Sequence, residues 1–241
     1  MGINNNNNNN NNDNIGRGCI TIGRMAPDFT TLSTDGVITL SQFRGKWVVL
    51  MAEPANFASV STTSIVELAK LHEEFEKRNV QILVGTLDNN FSNIEWLHEI
   101  LNDYGIIVPF PLLEDKDKRI SESYNIVSPD RQYQNSVRDL FIINPSGRIS
   151  AIITYPVSVG RNYYEVLRVI DSLQLTEKYG VFTPAQWVPG KPVMLPTVQT
   201  FSESLNRLQN DSKMGLNCIN WHACYVDYYY LVNNNQSNVE S

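Results

Sequence analysis

The sequence predicts an α/β fold, because strand-like and helix-like segments alternate from Thr21 to Pro156. A second sign is "KWVVLMAE" (46–53), nearly continuous in apolar residues, as expected of a strand covered on both faces. A third is the set of amphipathic segments between the strands, apolar at helical spacing and charged opposite.

"GVITLSQF" (36–43) reads as a hairpin element ahead of the central strand. "TTSIVELAKLHEEFEKRN" (62–79) reads as one helix, with Ile65, Leu68, Ala69, Leu71, His72 and Phe75 at helical spacing. "VQILVGTLD" (80–88) is the next core strand. "NNFSNIEWLHEILNDYG" (89–105) is the next helix, with Ser92 as its cap and Glu95 three residues later. "DLFIINPSGRISAIITYP" (139–156) predicts a β-hairpin turning at Asn144-Pro145-Ser146-Gly147, with Phe141, Ile143, Ile149 and Ile152 in the core. "NYYEVLRVIDSLQLTEKYG" (162–180) is the last long helix.

Beyond Gly180, Pro184, Pro189, Pro192 and Pro196 predict an extended segment that wraps or docks without forming a core. A boundary is therefore expected near residue 181, giving a flexible arm (1–20), an α/β domain (21–180) and a C-terminal segment (181–241). In the tail, several of Trp221, Tyr225, Tyr228, Tyr229 and Tyr230 are expected to be buried. Residues 4–12 are nine consecutive Asn. With no apolar residue to bury, this tract is expected to be disordered alone, or to order on assembly through amide ladders.

At 241 residues and 42% hydrophobic, the chain has enough material for one full core and a smaller appended domain. A net charge of -6 without a Lys/Arg cluster argues against nucleic acid or anionic membrane as a partner. No run is long and apolar enough to span a membrane, and the N-terminus has no export signal, so synthesis in the cytoplasm is expected.

"EPANFASVSTTS" (53–64) has the form of a turn opening a helix around a reactive side chain, yet position 61 is a serine. Together "GRMAPDF", "LSQFRGKWVVLMAEPANF", "STTSIVELAKLHEEFEKRNVQILVGTLD", "FPLLEDKDKRISESYNI", "SVRDLFIINPSGRI", "YPVSVGRNYYEVLRVIDSLQLT" and "TPAQWVPGKPVMLP" resemble a peroxiredoxin of the one-Cys subgroup over residues 21 to 200. The resemblance implies a thioredoxin-like peroxiredoxin core with an extended C-terminal dimerisation segment.

In that family the turn reads Pro-x-x-x-Thr-x-x-Cys followed by Thr-Thr-Glu. A helix N-terminus and a nearby Arg favour the thiolate, which attacks the peroxide O–O bond and becomes a sulfenic acid. By resemblance Pro54 keeps the Pro place, Arg138 matches the activating Arg, and Arg161 matches a second arginine near the pocket. Ala58 stands where the family has Thr, Ser59 for Pro, Ser61 for the peroxidatic Cys, Ser64 for Glu, and Glu53 for the usual His. A serine hydroxyl is not appreciably ionised near neutral pH and has no route to a sulfenic acid, so the site is expected to be dead as a peroxidase. Arg138 is then left either to pair with Glu53 or another acid, or to hold a small anion with Arg161 and the helix amides.

Three cysteines are too few for a disulfide framework. "CINWHAC" is similar to a Cys-x-x-Trp-x-x-Cys signature in peroxiredoxins of spore-forming anaerobes, including one built into a spore coat. Cys218 and Cys224 could form a local structural disulfide or a redox pair, and Cys19 on the arm could cross-link subunits. His72 and His98 read as helix-surface residues, and Cys218, His222 and Cys224 match no common zinc spacing, so neither metal nor cofactor is expected.

Two functional classes follow. One is a catalytically silent, self-assembling structural subunit, of a spore coat or surface layer, whose partner is itself. The alternative is a thiol-dependent peroxidase or redox protein using Cys218 and Cys224, or an inactivated Cys-to-Ser form of a true peroxiredoxin.

Overall fold

The computed structural model describes residues 20–126, 138–209 and 215–231; Cys19 and the Asn tract lie outside the described residues. The chain divides into two compact units between Tyr163 and Tyr164.

The first unit holds a seven-stranded sheet built from β1 (Thr30–Ser33), β2 (Gly36–Thr39), β3 (Trp47–Glu53), β4 (Val80–Thr86), β5 (Leu112–Glu114), β6 (Arg138–Ile143) and β7 (Ile149–Tyr155), in the order β2-β1-β5-β4-β3-β6-β7. Strand β3 runs parallel to β4 and antiparallel to β6, and all seven of its residues are buried. That is why its sequence is continuously apolar instead of alternating. Four helices accompany the sheet: α1 (Ser59–Lys70), α2 (His72–Glu76), α3 (Asn90–Tyr104) and α4 (Arg119–Ser123). Leu50, Leu83, Leu113, Tyr124 and Phe141 share one core cluster, with Ile152 packed at its margin. The β6–β7 turn closes at Gly147, whose φ of +84° suits glycine and whose missing Cβ leaves room for the Arg44 guanidinium.

The helix expected over 62–79 is broken at Leu71, whose N–H bonds to Leu68 O at 3.1 Å, three residues back, tightening the turn. The cap of α3 is Asn89, whose side chain accepts from Ser92 N at 3.0 Å. Ser92 therefore sits inside the helix, and the helix begins earlier than the Ser-x-x-Glu pattern suggests.

The second unit contains α5 (Tyr163–Tyr179, from Tyr164 on), β8 (Val193–Met194), α6 (Phe201–Gln209), β9 (Leu216–Asn220) and β10 (Ala223–Val226). Its three strands form an antiparallel sheet, β8-β10-β9. Leu175, Val181, Trp187, Val193 and Val226 make a second core cluster. The proline-rich segment thus does contribute a core, because its irregular backbone brings Trp187 inward, with Nε1 donating to Lys191 O at 3.0 Å. The tail aromatics behave differently from expectation. Trp221, Tyr229 and Tyr230 are exposed, while Tyr225 and Tyr228 are half-buried; on β10 the buried positions are taken by Cys224 and Val226, with Tyr225 between them.

Candidate functional site

Strand β3 ends at Glu53, and the chain turns through Pro54–Ala58 into α1. Phe57 adopts a φ of 58°, an unusual conformation for an aromatic residue. The turn is fixed by Asn56. Its backbone N–H donates to Asp88 Oδ2 at 2.8 Å, and its Nδ2 donates to Asn93 Oδ1 at 2.8 Å and Ser92 Oγ at 3.1 Å. Beside it the Phe57 and Trp96 rings meet at 6.3 Å, and Trp96 Nε1 donates to Thr62 Oγ1 at 3.1 Å. These contacts hold the first turn of α1 against α3.

Ser61 lies in that first turn with no solvent exposure. The N-cap, Ala58, has no side-chain oxygen with which to satisfy the helix amides. Arg138, at the start of β6, reaches the turn because β6 lies beside β3. Its Nη1 donates to Glu53 and, at 3.2 Å, to Ser61 Oγ, while its Nε donates to Val157 O at 2.9 Å. Arg161 closes the other side. Its Nη1 donates to Glu53 and, at 3.3 Å, to Ser64 Oγ; its Nη2 donates to Ala52 O at 2.9 Å and Asp139 O at 3.1 Å. Ser64 Oγ also shares a 2.6 Å hydrogen bond with Tyr163 OH. Burial pushes the Tyr163 phenol up to about 12.

The expected site residues Pro54, Ala58, Ser61, Arg138 and Arg161 thus gather at one end of β3, and the pairing of Arg138 with Glu53 is present. Glu53 also pairs with Arg161, forming a buried arginine–carboxylate–arginine triad. Sequence reasoning missed Tyr163 and the Asn56–Asn93 anchor. Tyr163 stands two residues after Arg161, but nothing local marks it as an inward-facing hydroxyl.

The guanidiniums and the helix N-terminus favour negative charge, and here the Glu53 carboxylate supplies it. Ser61 presents a hydroxyl that accepts a hydrogen bond from the Arg138 guanidinium, and an alcohol, unlike a thiolate, is a weak nucleophile unless a base activates it.

Cys218 and Cys224 face each other across β9 and β10 and form a disulfide, with Cα atoms 4.0 Å apart. A hairpin turn brings the two together, one of the geometries that their spacing allows. No group of three or more His, Cys, Asp or Glu that could hold a metal occurs among the described residues. His98 is exposed, as expected for the helix surface. His72 departs from that expectation: its side chain is only 16% exposed and packs on Phe110 at 6.1 Å. No helix of the described residues is long and apolar enough to cross a membrane.

Residues 22–152 match the model of the AhpC/TSA family, and residues 172–210 match that of the C-terminal domain of 1-Cys peroxiredoxin. The chain is 42% identical over 214 residues to Peroxiredoxin 2 of Caldanaerobacter subterraneus subsp. tengcongensis, covering 88% of this chain and 96% of that protein. It is 38% identical over 191 residues to the 1-Cys peroxiredoxin of Dictyostelium discoideum, covering 78% of each. Among solved structures, the yeast mitochondrial 1-Cys peroxiredoxin superposes with a TM-score of 0.76 at 34% identity, covering 86% of this chain and 99% of that one. A cysteine-to-serine mutant of the Peroxiredoxin 6 of Arenicola marina superposes with a TM-score of 0.74 at 30% identity, covering 86% and 98%.

Proposed function

The chain belongs to the peroxiredoxin family, with an AhpC/TSA core and the 1-Cys C-terminal domain, and from that premise we propose that it is a catalytically silent member serving as a self-assembling structural subunit. The observation that carries this reading is the buried hydroxyl of Ser61. A peroxiredoxin reduces peroxide by turning a thiolate into a sulfenic acid, and an alcohol oxygen cannot take that step. With Ala58, the turn also lacks a hydroxyl to hydrogen-bond developing charge. What persists is a folded scaffold, and closed homo-oligomers are the commonest use of such surfaces. Cys19 is the proposed cross-linker between copies. The tail's similarity to peroxiredoxins of spore-forming anaerobes makes a spore coat or surface layer the first place to look for the assembly.

The Cys218–Cys224 disulfide favours a second reading, in which thiol chemistry has moved to the tail. Membership of a family of peroxiredoxins supports it. Two electrons and two protons from a dithiol would return the pair to free thiols. Ser61, in a chain whose relatives are peroxiredoxins, leaves room for a third, that of an inactivated Cys-to-Ser peroxidase.

Hydrogen peroxide consumption with a dithiol as reductant, run beside light scattering, separates these readings. A silent subunit gives discrete assemblies and no rate above buffer. Turnover that disappears in Cys218→Ser or Cys224→Ser would transfer the function to the tail. An inactivated peroxidase would regain turnover through Ser61→Cys alone. A Cys19→Ser variant that assembles as firmly under oxidising, denaturing conditions would remove the cross-link.

A further inference from the structure

Glu53 is a carboxylate at the end of a fully buried strand, 1% exposed, with each oxygen held by a different arginine. The two guanidiniums are themselves enclosed, with side chains 2% and 0% exposed. Their further hydrogen bonds run to Ser61 Oγ, Ser64 Oγ and the carbonyls of Ala52, Asp139 and Val157, with the Tyr163 hydroxyl beside Arg161. Two positive charges therefore converge on one negative charge, and Arg161 Nε is buried without a hydrogen-bond partner.

A burial of this kind is unfavourable unless something anionic sits between the two forks, because the desolvation of each guanidinium must be offset. Two arginines aimed at one carboxylate is also how proteins recognise a carboxylate ligand. We propose that Glu53 is an internal ligand: its side chain fills a two-arginine carboxylate site and so keeps Arg138 and Arg161 from any external anion, whatever residue stands at position 61. The ligand class follows from the side chain. Glu53→Ala removes one methylene and one carboxylate, which together have the shape and charge of acetate.

The test is thermal melting of the full chain at constant ionic strength, with acetate exchanged against gluconate, which is too bulky for the space. Loss of Glu53 leaves two unpaired buried cations, so Glu53→Ala should melt roughly 10 °C below the unaltered protein in gluconate. Acetate should recover at least half of that loss with a saturating dependence, while the unaltered protein should not respond. Equal responses in both proteins, or a rise without saturation, would overturn the proposal.

Should Glu53→Ala fail to fold in gluconate, refolding in acetate and the Glu53→Ala/Ser64→Glu variant decide the matter. Ser64 Oγ already accepts from Arg161 Nη1, so an acid there returns the charge from the helix side. Recovery of folded protein by either route supports an internal ligand, and failure of both overturns it. The readout is melting and not peroxide chemistry, so this outcome is independent of whether the chain proves silent.

Discussion

Ser61 and Ala58 stand where the family pattern has Cys and Thr, and Glu53, where it has His, pairs with both arginines. Each of these residues was identifiable as a departure from the family pattern, yet only the structure shows Glu53 spanning both arginines. Tyr163 offers a residue-scale check on the enclosure of this network. Its phenol loses its proton at about 12 in the folded chain, against an ordinary value of 10.0, because burial disfavours the phenolate. Between those values the folded state holds a proton that the unfolded state has released. The stabilisation is thus complete below pH 10 and declines as pH rises towards 12, by on the order of 2 kcal/mol. Denaturant midpoints between pH 9 and 12 should fall less steeply in Tyr163→Phe than in the unaltered chain. Some slope should persist, since burial also raises the Tyr124 phenol. Parallel slopes would mean that Tyr163 is in contact with water.

Among the elements, the anchor between the α1 turn and α3 matters most for the site. Asn56 contributes two side-chain hydrogen bonds there, and Asn93 Oδ1 retains Thr86 Oγ1 at 2.7 Å if Asn56 is lost. Asn56→Ala should therefore cost about 1–3 kcal/mol in denaturant unfolding, with faster hydrogen exchange at the start of α1. A loss below about 0.5 kcal/mol would show that water replaces the anchor. Several elements were legible because their physics is local. The apolar run of β3 and the Asn-Pro-Ser-Gly turn both specify themselves. The cap of α3 was ambiguous because "NNFSN" offers several residues able to cap, and only the backbone path selects Asn89. The break at Leu71 leaves no trace in the sequence, since the apolar spacing continues through it. In the tail, aromatic density suggested burial, but alternation along β10 turned Cys224 and Val226 inward instead of Tyr225, and Trp221, Tyr229 and Tyr230, outside the strand, are exposed.

For the whole molecule, two units with separate cores imply two kinds of stability. In the second unit the β9–β10 hairpin is pinned by the Cys218–Cys224 disulfide, and among the described residues β9 pairs only with β10. Closing so short a loop stabilises by about 2 kcal/mol in the chain-entropy model. Reduction should therefore speed amide exchange in residues 216–226 roughly 10-fold or more, while β3 and β4 are unaffected. Unchanged exchange in the hairpin would mean that its packing alone holds it closed.

If a peroxiredoxin fold has outlived its peroxidase chemistry at position 61, stopped-flow mixing of the reduced, unaltered protein with stoichiometric hydrogen peroxide reads it out. A silent site gives a decay no faster than buffer, in which Cys218→Ser and Cys224→Ser change nothing. Rapid loss of one equivalent of peroxide per chain would contradict it.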